Sequence, residues 1–413
     1  MLEQFFDNPL VVDRLRAGPL NPHLESFTGS LAALGYARGT LQAQIRLLHR
    51  MGGWLDDQKI AVADLEEGIL DRFLDEQGRR GSGKGHRGTV RHFLDHLRDV
   101  GAVTVREHPT DEHPLAQLEG RYERYLRTER GLSTDTVLNY LPFVHRFLLE
   151  RFADAPLLLG ELRASDSSAF ILRHTRSMSL GRAKLMVTAL RSFLRFLLQY
   201  GELEIDLAAS VPAVSGWRQT SVPKHLDPQD VRRLLDGCNR NTAVGRRNYA
   251  ILVLLARLGL RAGEVVALQL DDVDWRAGEI KVRGKGSWQD RLPLLTDVGE
   301  ALAAYLKVGR PRCSSRQLFI RAKAPHRGFL SPAAVTTIVE RAVDRAGLHP
   351  PMRGAHLLRH SLATGMIRGG ASMAEIGQVL RHRAANTTEI YAKVDFEGLR
   401  ALARPWPVQE VKR

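Results

Sequence analysis

The chain has 413 residues, enough for two or three domains that each bury a hydrophobic core. Its 60 Lys and Arg residues outnumber 46 Asp and Glu residues, giving a formal net charge of +14 and a pI near 10.1. This charge favours a polyanionic partner, with nucleic acid ahead of a membrane surface. The longest apolar run, 249–256, is far shorter than the roughly 20 residues that span a bilayer.

Two further features of the composition indicate the compartment. The start of the chain, "MLEQFFDNPL", carries acidic residues where a signal peptide has a basic region. Cys238 and Cys313 are too few for a disulfide framework or a cysteine-based zinc site. We therefore expect a cytoplasmic, nucleoid-associated protein with two ordinary thiols.

The first half of the chain reads as helices with short polar breaks, and it contains an internal repeat. The segment "GYARGTLQAQIRLLHRM" (35–51) aligns with "GLSTDTVLNYLPFVHRF" (131–147) at an offset of 96 residues. Further along, "RHFLDHLRDVG" (91–101) aligns with "RSFLRFLLQYG" (191–201) at an offset of 100 residues. Amphipathic helices share apolar spacing, but two matches in the same order favour duplication over chance. We predict two helical SAM-like domains, at 1–108 and 112–215.

Each copy carries a basic stretch in a corresponding place, and we predict that both stretches contact DNA. The candidate residues are Arg79, Arg80, Lys84 and Arg87 in the first copy and Arg182, Lys184 and Arg191 in the second. Arg182 follows a predicted helix start at Ser179, where backbone N–H groups also favour phosphate. The alternative is a solvated helix face, which is the more usual role of a charge run.

A third domain, at 222–413, follows the linker-like stretch "SVPAVSGWRQTSVPKH". Asp227 and Pro228 predict a helix start, and "NYAILVLLARLGL" predicts a buried helix. Two alternating runs in "GEIKVRGKGSWQDRLPLL" flank a Gly-Lys-Gly-Ser tip, which predicts a β-hairpin. The predicted fold class is therefore mainly α and multidomain, with two helical domains before a mixed α+β domain that contains a small antiparallel sheet.

This third domain holds an ordered set of polar residues that suits phosphodiester transfer. The set is Arg261, Lys285, His356, Arg359, His382 and Tyr391. Two guanidiniums can hold the non-bridging oxygens, and a histidine can add a donor. A lysine at a hairpin tip can protonate the leaving 5′ oxygen, and a tyrosine hydroxyl can attack phosphorus. Because the protein supplies the cations, this chemistry requires no metal or other cofactor.

Each of these residues also has an ordinary structural interpretation. A helical H-x-x-R pair commonly lies on a surface, and Arg261 could close a helix C-terminus. Lys285 could be turn charge, and Tyr391 could serve packing. The sequence does not contain the G-x-x-x-x-G-K-[ST], H-E-x-x-H or G-x-S-x-G motifs of other enzyme sites. The joint occurrence of the set in this order favours catalysis.

From about residue 222 onward, the chain resembles the catalytic domain of the tyrosine recombinase, or phage integrase, family. The matching stretches are "LGLRAGEVVALQLDDVD", "VRGKGSWQDRLPL", "HLLRHSLAT" and "IGQVLRHRAANTTEIYAKV". The resemblance implies that Tyr391 forms a 3′-phosphotyrosyl bond and that Lys285 protonates the 5′ oxygen. It implies that Arg261, Arg359 and His382 surround the scissile phosphate. His356 would handle a proton or position a group.

Two neighbouring residues complete the expected site. Glu264 matches an acidic family position and is expected to orient Arg261, with a surface i,i+3 pair as the alternative. His360, which follows Arg359 directly, is expected to point elsewhere. The chain departs from the family's Leu-Gly-His at Leu380-Arg381-His382. Arg381 could therefore change how His382 approaches the phosphate or add a DNA contact.

The resemblance also bears on the outer segments. Residues 112–215 resemble the family's core-binding domain, whereas the copy at 1–108 is an addition that could read further DNA or hold protomers together. The tail "FEGLRALARPWP" has helical spacing up to Pro405. Such a tail implies docking on a neighbouring subunit, and folding back onto its own domain is the alternative.

We therefore predict a site-specific DNA recombinase or integrase, encoded by a mobile genetic element. Its partners would be double-stranded DNA and further copies of the chain, as a tetramer on two DNA sites. Related recombinases or accessory DNA-bending proteins are further candidate partners, and no membrane is expected. A type IB topoisomerase acting on one duplex is the alternative enzyme, and a DNA-binding relative that has lost cleavage is the alternative without activity.

Overall fold

The computed structural model describes residues 1–78, 85–103, 113–153, 156–215, 223–284, 288–384, 387–394 and 400. These residues are mainly helical and include a three-stranded antiparallel sheet, which confirms the predicted fold class. The chain divides into two compact units. Met1–Thr104 and Ser221–Arg413 form the first unit, and Val105–Thr220 forms the second.

The N-terminal part of the first unit is a helical cluster around its own hydrophobic core. Its helices are α1 (Pro9–Arg16), α2 (Asn21–Ala33), α3 (Arg38–Asp57), α4 (Glu67–Gly78) and α5 (His86–Asp99). Leu41, Ile45 and Leu48 recur every three or four residues along α3, so they share one face and are buried together.

The second unit is a helical cluster built around aromatic side chains. Its helices are α6 (Pro114–Arg124), extended by a π-helical turn (Tyr125–Glu129), α7 (Thr134–Phe152), α8 (Ala164–Thr175), α9 (Leu180–Gln199) and α10 (Leu207–Ser210). Tyr122 and Phe193 pack edge to face, with ring centroids 5.1 Å apart. The Ser179 hydroxyl accepts a hydrogen bond from the Arg182 N–H at 3.4 Å, which confirms the predicted start of α9.

In the aligned segments, α3 and α7 begin at equivalent positions, and α5 and α9 end at equivalent positions. Gly35 and Gly131 both have positive φ, +80° and +57°, and each lies three residues before the first residue of its helix, α3 or α7. Gly101 and Gly201 follow α5 and α9 with φ of +71° and +73°. Glycine adopts this left-handed conformation without a Cβ penalty. One pair of shared glycines therefore precedes corresponding helices, and the other pair follows corresponding helices.

The remainder of the first unit contains the residues that the sequence predicts to be catalytic. Its helices are α11 (Pro228–Asp236), α12 (Ala243–Leu258), α13 (Ala262–Ala267), α14 (Thr296–Ala304), α15 (Ala333–Arg345), α16 (Ala355–Arg368) and α17 (Met373–Val379). A π-helical turn (Tyr305–Gly309) extends α14, and a 3-10 turn (Glu389–Val394) follows α17. The predicted buried helix is α12, whose residues from 250 to 256 are all buried. Within the part of the chain that the structure describes, no helix is long and apolar enough to cross a membrane.

The start of α11 combines one confirmed prediction with one difference. Asp227 is the N-cap residue and Pro228 is the first helical residue, as the sequence predicts. The Asp227 carboxylate, however, makes no capping hydrogen bond and instead accepts one from Arg368 at 2.8 Å. The ion pair therefore connects the start of α11 to the last turn of α16.

The sheet contains the predicted hairpin and a short additional strand. Strands β1 (Val273–Asp274), β2 (Glu279–Arg283) and β3 (Gln289–Pro293) pair antiparallel in that order. Ile280 and Val282 alternate with polar neighbours and are buried against the core. With two residues, β1 is too short to show strand periodicity in sequence. The hairpin tip, 285–287, lies outside the described residues.

The N-terminal helices contact the C-terminal part of the first unit through a loop. The His326 N–H donates to the Leu34 carbonyl at 2.8 Å. A Cβ added at Gly35 would lie 2.0 Å from the His326 ring, so a residue with a side chain at this position would collide with His326.

Candidate active site

Two of the catalytic candidates, Arg261 and His382, line a cleft of about 890 Å³. Its lining residues include Arg261, Glu264, Arg283, Gly284, Arg381 and His382. They come from the start of α13, the end of β2 and the turn after α17, which are far apart in sequence. Gly284 follows β2, lines the cleft and directly precedes Lys285.

Arg261 and Glu264 form an ion pair at the start of α13. The Arg261 Nη1 donates to Glu264 Oε1 at 2.7 Å, and the Arg261 backbone N–H donates to Glu264 Oε2 at 2.8 Å. The Glu264 carboxylate therefore binds both the side chain and the backbone of the arginine. The Glu264 side chain is 6% exposed, whereas that of Arg261 is 40% exposed. The buried carboxylate is thus placed to orient a guanidinium that reaches the cleft.

Arg359 is a buried guanidinium held by two backbone carbonyls. Its Nη1 donates to the Gly259 carbonyl and its Nη2 to the Leu380 carbonyl. A Cβ at Gly259 would lie 2.7 Å from Leu380 Cδ2, so glycine allows the end of α12 to approach the turn after α17. Burial, together with the charges of Arg261 and Arg381, lowers the pKa of Arg359 to about 10, and the guanidinium stays charged at neutral pH.

His356 and His360 lie on one face of α16, which corrects one expectation. His360 does not point elsewhere: its Nδ1 lies 2.8 Å from the Tyr391 hydroxyl. The physical reason is helical geometry, because residues four apart share a face and the two rings are 6.3 Å apart. Partial desolvation and the charges of Arg359 and Arg261 lower the pKa of His356, although the residue itself is exposed to solvent. The i,i+4 spacing was the signal in the sequence that could have identified His360.

Tyr391 lies in the 3-10 turn after α17 with its ring almost fully buried. The residue is 1% exposed, and its hydroxyl contacts His360 Nδ1. The ring stacks parallel to that of His382 with centroids 6.4 Å apart. Burial raises the pKa of Tyr391 to about 12, partly opposed by the charge of Arg359. The tyrosine is therefore a neutral phenol, bound to a histidine in this conformation.

His382 is positioned by a threonine that the sequence interpretation did not identify. Its Nδ1 lies 2.8 Å from Oγ1 of Thr388, a buried residue. Burial and the charges of Arg359 and Arg261 lower the pKa of His382 to about 4, so the ring is neutral at pH 7. Because Nδ1 contacts the threonine, Nε2 is the nitrogen available to a ligand.

Arg381 occupies the position where the family motif has glycine. The backbone conformation at this position explains why glycine is favoured there. Its φ is +54°, in the left-handed region that residues with a Cβ rarely adopt. Its side chain turns inward, and Nη2 donates to Glu264 Oε2 at 2.8 Å. Arg381 therefore contacts the same carboxylate as Arg261, and the predicted alternative of a direct DNA contact does not fit a side chain that is 6% exposed.

The remaining predicted residues fall into two groups. Lys285, Arg79, Arg80, Lys84 and most of the C-terminal tail lie outside the described residues. Among those described, Arg182 and Lys184 are exposed near the start of α9, and Arg87 is exposed and pairs with Asp71 at 3.2 Å. Arg191 differs, because it is half-buried and donates to the Val211 carbonyl at 2.7 Å. That contact supports the fold of the second unit.

The sequence comparisons place the chain in a known family. Residues 224–397 match the model of the phage integrase family. Integrase/recombinase y4rA of Sinorhizobium fredii is 42% identical over 408 residues, covering 98% of this chain and 99% of its own. Tyrosine recombinase XerC of Shewanella amazonensis is 34% identical over 290 residues, covering 68% of this chain and 92% of its own. The fold and the ordered Arg, His and Tyr set define the tyrosine recombinase class, and the chain belongs to the phage integrase family.

Solved structures share the fold. The XerH site-specific recombinase, in a post-cleavage complex with palindromic difH substrate, aligns with a TM-score of 0.54 and 21% identity, covering 73% of this chain and 99% of that chain. A lambda integrase dimer bound to a COC′ core site aligns with a TM-score of 0.52 and 19% identity, covering 72% of this chain and 99% of that chain. At these identities the similarity is one of architecture.

Proposed function

We propose that the protein is a site-specific DNA recombinase that breaks and rejoins DNA through Tyr391. The observation that carries this proposal is that Arg261 and His382 line one cleft. The Tyr391 ring stacks on that of His382, and Arg359 binds the carbonyl of Leu380, two residues before His382. Two guanidiniums and a neutral imidazole can donate to the non-bridging oxygens of a phosphodiester. These are the oxygens on which negative charge is concentrated in the five-coordinate transition state.

The cleavage step transfers one strand from DNA to protein. The Tyr391 hydroxyl oxygen attacks phosphorus, a 3′-phosphotyrosyl bond forms, and the bond from phosphorus to the 5′ oxygen breaks. The phenol proton passes to a neutral histidine, for which His356 and His360 are the candidates on α16. Because Tyr391 is buried against His360, its ring must turn out of this position to reach the phosphate. The reverse attack by a 5′-hydroxyl rejoins the strand and releases Tyr391.

Lys285 is proposed as the acid that protonates the leaving 5′ oxygen. Its neighbours Arg283 and Gly284 bring the hairpin to the cleft, and an ammonium group can supply the proton that an alkoxide needs. A substrate with sulfur in place of the 5′ bridging oxygen tests this role. Lys285→Met should slow cleavage of ordinary DNA strongly and of the sulfur-containing DNA little, because a thiolate leaves without a proton. Equal slowing on both substrates would exclude Lys285 as the acid.

The rest of the chain is proposed to hold the DNA. We propose core-binding and catalytic domains at 112–215 and 222–413, with an additional N-terminal domain at 1–108. Arg182 and Lys184, exposed where α9 begins, are candidates for phosphate contacts. The working assembly is a tetramer on two DNA sites of a mobile element, in the cytoplasm and on the nucleoid. Related recombinases or DNA-bending proteins are further candidate partners.

Covalent trapping tests the chemistry. The protein is mixed with DNA from the ends of its own element, nicked just beyond the cleavage position, so that the released fragment diffuses away. Wild type should give a denaturation-resistant complex, and Tyr391→Phe should give none. Tyr200→Phe is the matched control, because Tyr200 is an exposed residue of the second unit and not one of the site residues, so it should leave trapping unchanged.

The two alternative functions predict different results in assays of covalent trapping, DNA relaxation and strand exchange. Binding without a trapped complex would contradict the proposal and favour the non-cleaving DNA-binding relative. Relaxation of supercoiled DNA without its specific sites, and without exchange between two duplexes, would favour the topoisomerase.

A further inference from the structure

We propose that Arg381 is a positioning residue that holds Glu264 and, through Glu264, the phosphate-binding guanidinium of Arg261. This inference deepens the proposed function and rests on it. Arg381 stands where relatives with the Leu-Gly-His motif have glycine, so the contact belongs to this chain's own sequence rather than to the motif.

The backbone at Arg381 carries a cost that its side-chain contacts offset. With φ of +54°, a residue with a Cβ is strained relative to glycine. The guanidinium donates to Glu264 Oε2 at 2.8 Å and lies 3.2 Å from the Val379 carbonyl and 3.4 Å from the Leu258 carbonyl. These contacts fix the head group within the protein, beside the end of α12 and the end of α17.

Glu264 is shared by two arginines of different exposure. Its Oε1 accepts from Arg261, and its Oε2 accepts from Arg381 and from the Arg261 backbone N–H. Arg381 is almost as buried as the carboxylate, whereas 40% of the Arg261 side chain is exposed. Arg381 therefore faces Glu264, and Arg261 is the arginine that can reach DNA.

The charges explain why a second arginine matters. A buried carboxylate beside one arginine cancels much of the positive field that this arginine offers to a phosphate. A second guanidinium on the same carboxylate restores a net positive charge and fixes the carboxylate in one orientation. Although burial alone would raise the pKa of Glu264, the charges of Arg381 and Arg261 hold it below its usual value. The carboxylate thus stays ionised and keeps its hydrogen bonds to Arg261.

Two substitutions separate the charge of Arg381 from its backbone conformation. Arg381→Met keeps a long side chain and the strained backbone but removes the charge. Arg381→Gly removes the charge and relieves the backbone. If Arg381 acts through its guanidinium, both variants should form the covalent complex about tenfold more slowly, the loss expected for one charge-assisted hydrogen bond in a buried site. Affinity for uncleaved DNA should change by about twofold or less, because contacts along the duplex supply most of it.

A double-substitution cycle tests whether the effect passes through Glu264. In a Glu264→Gln background the carboxylate is gone, so adding Arg381→Met should slow the reaction by about twofold or less. An undiminished tenfold effect in that background would overturn the proposal. A normal rate in Arg381→Gly would also overturn it, because only the backbone would then matter.

A readout without DNA keeps this inference separate from the recombinase proposal. Orthovanadate mimics a five-coordinate phosphate, and its binding should raise the thermal unfolding temperature of wild type more than that of Arg381→Met or Arg381→Gly. If wild type forms no covalent complex, the proposed function fails. The difference in vanadate-induced thermal shift between wild type and the Arg381 variants then decides the role of Arg381. Equal vanadate shifts in wild type and both variants, or no shift in wild type, would contradict the positioning role.

Discussion

At the residue scale, the hydrogen bond between His360 and Tyr391 defines the position of the Tyr391 side chain. The Tyr391 hydroxyl is buried and lies 2.8 Å from His360 Nδ1. His360→Leu should destabilise α16 by about 1–2 kcal/mol, because the buried hydroxyl is left without this partner. Native-state hydrogen exchange of the α16 amides measures the change.

A double variant supplies the control for this hydrogen bond. Combining His360→Leu with Tyr391→Phe removes both partners and should cost less than the sum of the single changes by about 1 kcal/mol. His356→Leu, one turn earlier on the same face, should change α16 stability by less than about 0.5 kcal/mol, because His356 is exposed. Additive costs for the double variant would show that the two side chains do not interact.

The histidines of the site also predict a pH dependence of stability. Burial lowers the pKa of both His360 and His382 to about 4, from about 6.5 in the unfolded chain. Between these values the unfolded state binds more protons, so the stabilisation is full above about pH 6.5 and is lost as the pH falls toward 4. With allowance for solvent screening, we expect a loss of about 1–2 kcal/mol per histidine.

Denaturation across this pH range tests the prediction. Free energies of unfolding are measured from pH 7 to pH 4 for wild type and for His360→Asn, which cannot take up the proton. The variant should show a shallower decline with falling pH. Parallel curves for the two proteins would assign the acid sensitivity to other groups.

At the element scale, the capping of α17 stabilises the short helix that precedes Arg381 and His382. Ser372 is the N-cap: its hydroxyl accepts from the Glu375 N–H at 3.3 Å, and the Glu375 carboxylate accepts from the Ser372 N–H at 2.7 Å. This capping box satisfies two N–H groups at the start of a seven-residue helix. Because the Leu380 carbonyl at the other end binds Arg359, fraying of α17 should reach the active site.

Ser372→Ala should destabilise α17 by about 1 kcal/mol. Ser133→Ala is the matched control, since Ser133 is the N-cap of α7 but makes no capping hydrogen bond from its side chain. Its cost should stay below about 0.5 kcal/mol. Hydrogen exchange of the amides in each helix measures both, and equal costs would show that the capping box does not stabilise α17.

At the scale of the whole molecule, the two sequence repeats differ in what surrounds them. Gly35 and Gly131 occupy equivalent positions with positive φ, but a Cβ would lie 2.0 Å from the His326 ring at Gly35 and would meet nothing within 4 Å at Gly131. Gly131→Ala should therefore cost about 1 kcal/mol from the backbone alone. Gly35→Ala should cost about 1 kcal/mol more, because the His326 side chain must move to make room for the added methyl group.

Thermal unfolding followed by calorimetry compares the two glycine variants. Protease susceptibility of the loop around His326 should rise in Gly35→Ala and not in Gly131→Ala. If both variants behaved alike, the close approach of the His326 ring to Gly35 would not affect the stability of the first unit.

The sequence by itself determined the features that depend on local pattern. The repeat was visible because the two copies have glycines at matching positions before and after their helices. The positive φ at each of these positions favours glycine as a single residue. The hairpin and the buried helix α12 followed from apolar periods of 2 and 3.6 residues. The ordered Arg, His and Tyr set was readable because a phosphate requires particular chemical groups wherever the fold brings them together.

The tertiary structure decided what depends on residues distant in the chain. Arg381 meets Glu264 across 117 positions, and Arg359 binds the carbonyl of Gly259 across 100. No local pattern encodes such pairings, because they depend on how the ends of α12 and α17 pack together. Burial, which sets the pKa of Tyr391 and His382, likewise depends on the surrounding elements. Sequence therefore indicated most of the groups that the site contains, whereas packing added His360 and Thr388 and decided which groups touch. Contact and desolvation arise only when distant segments fold together.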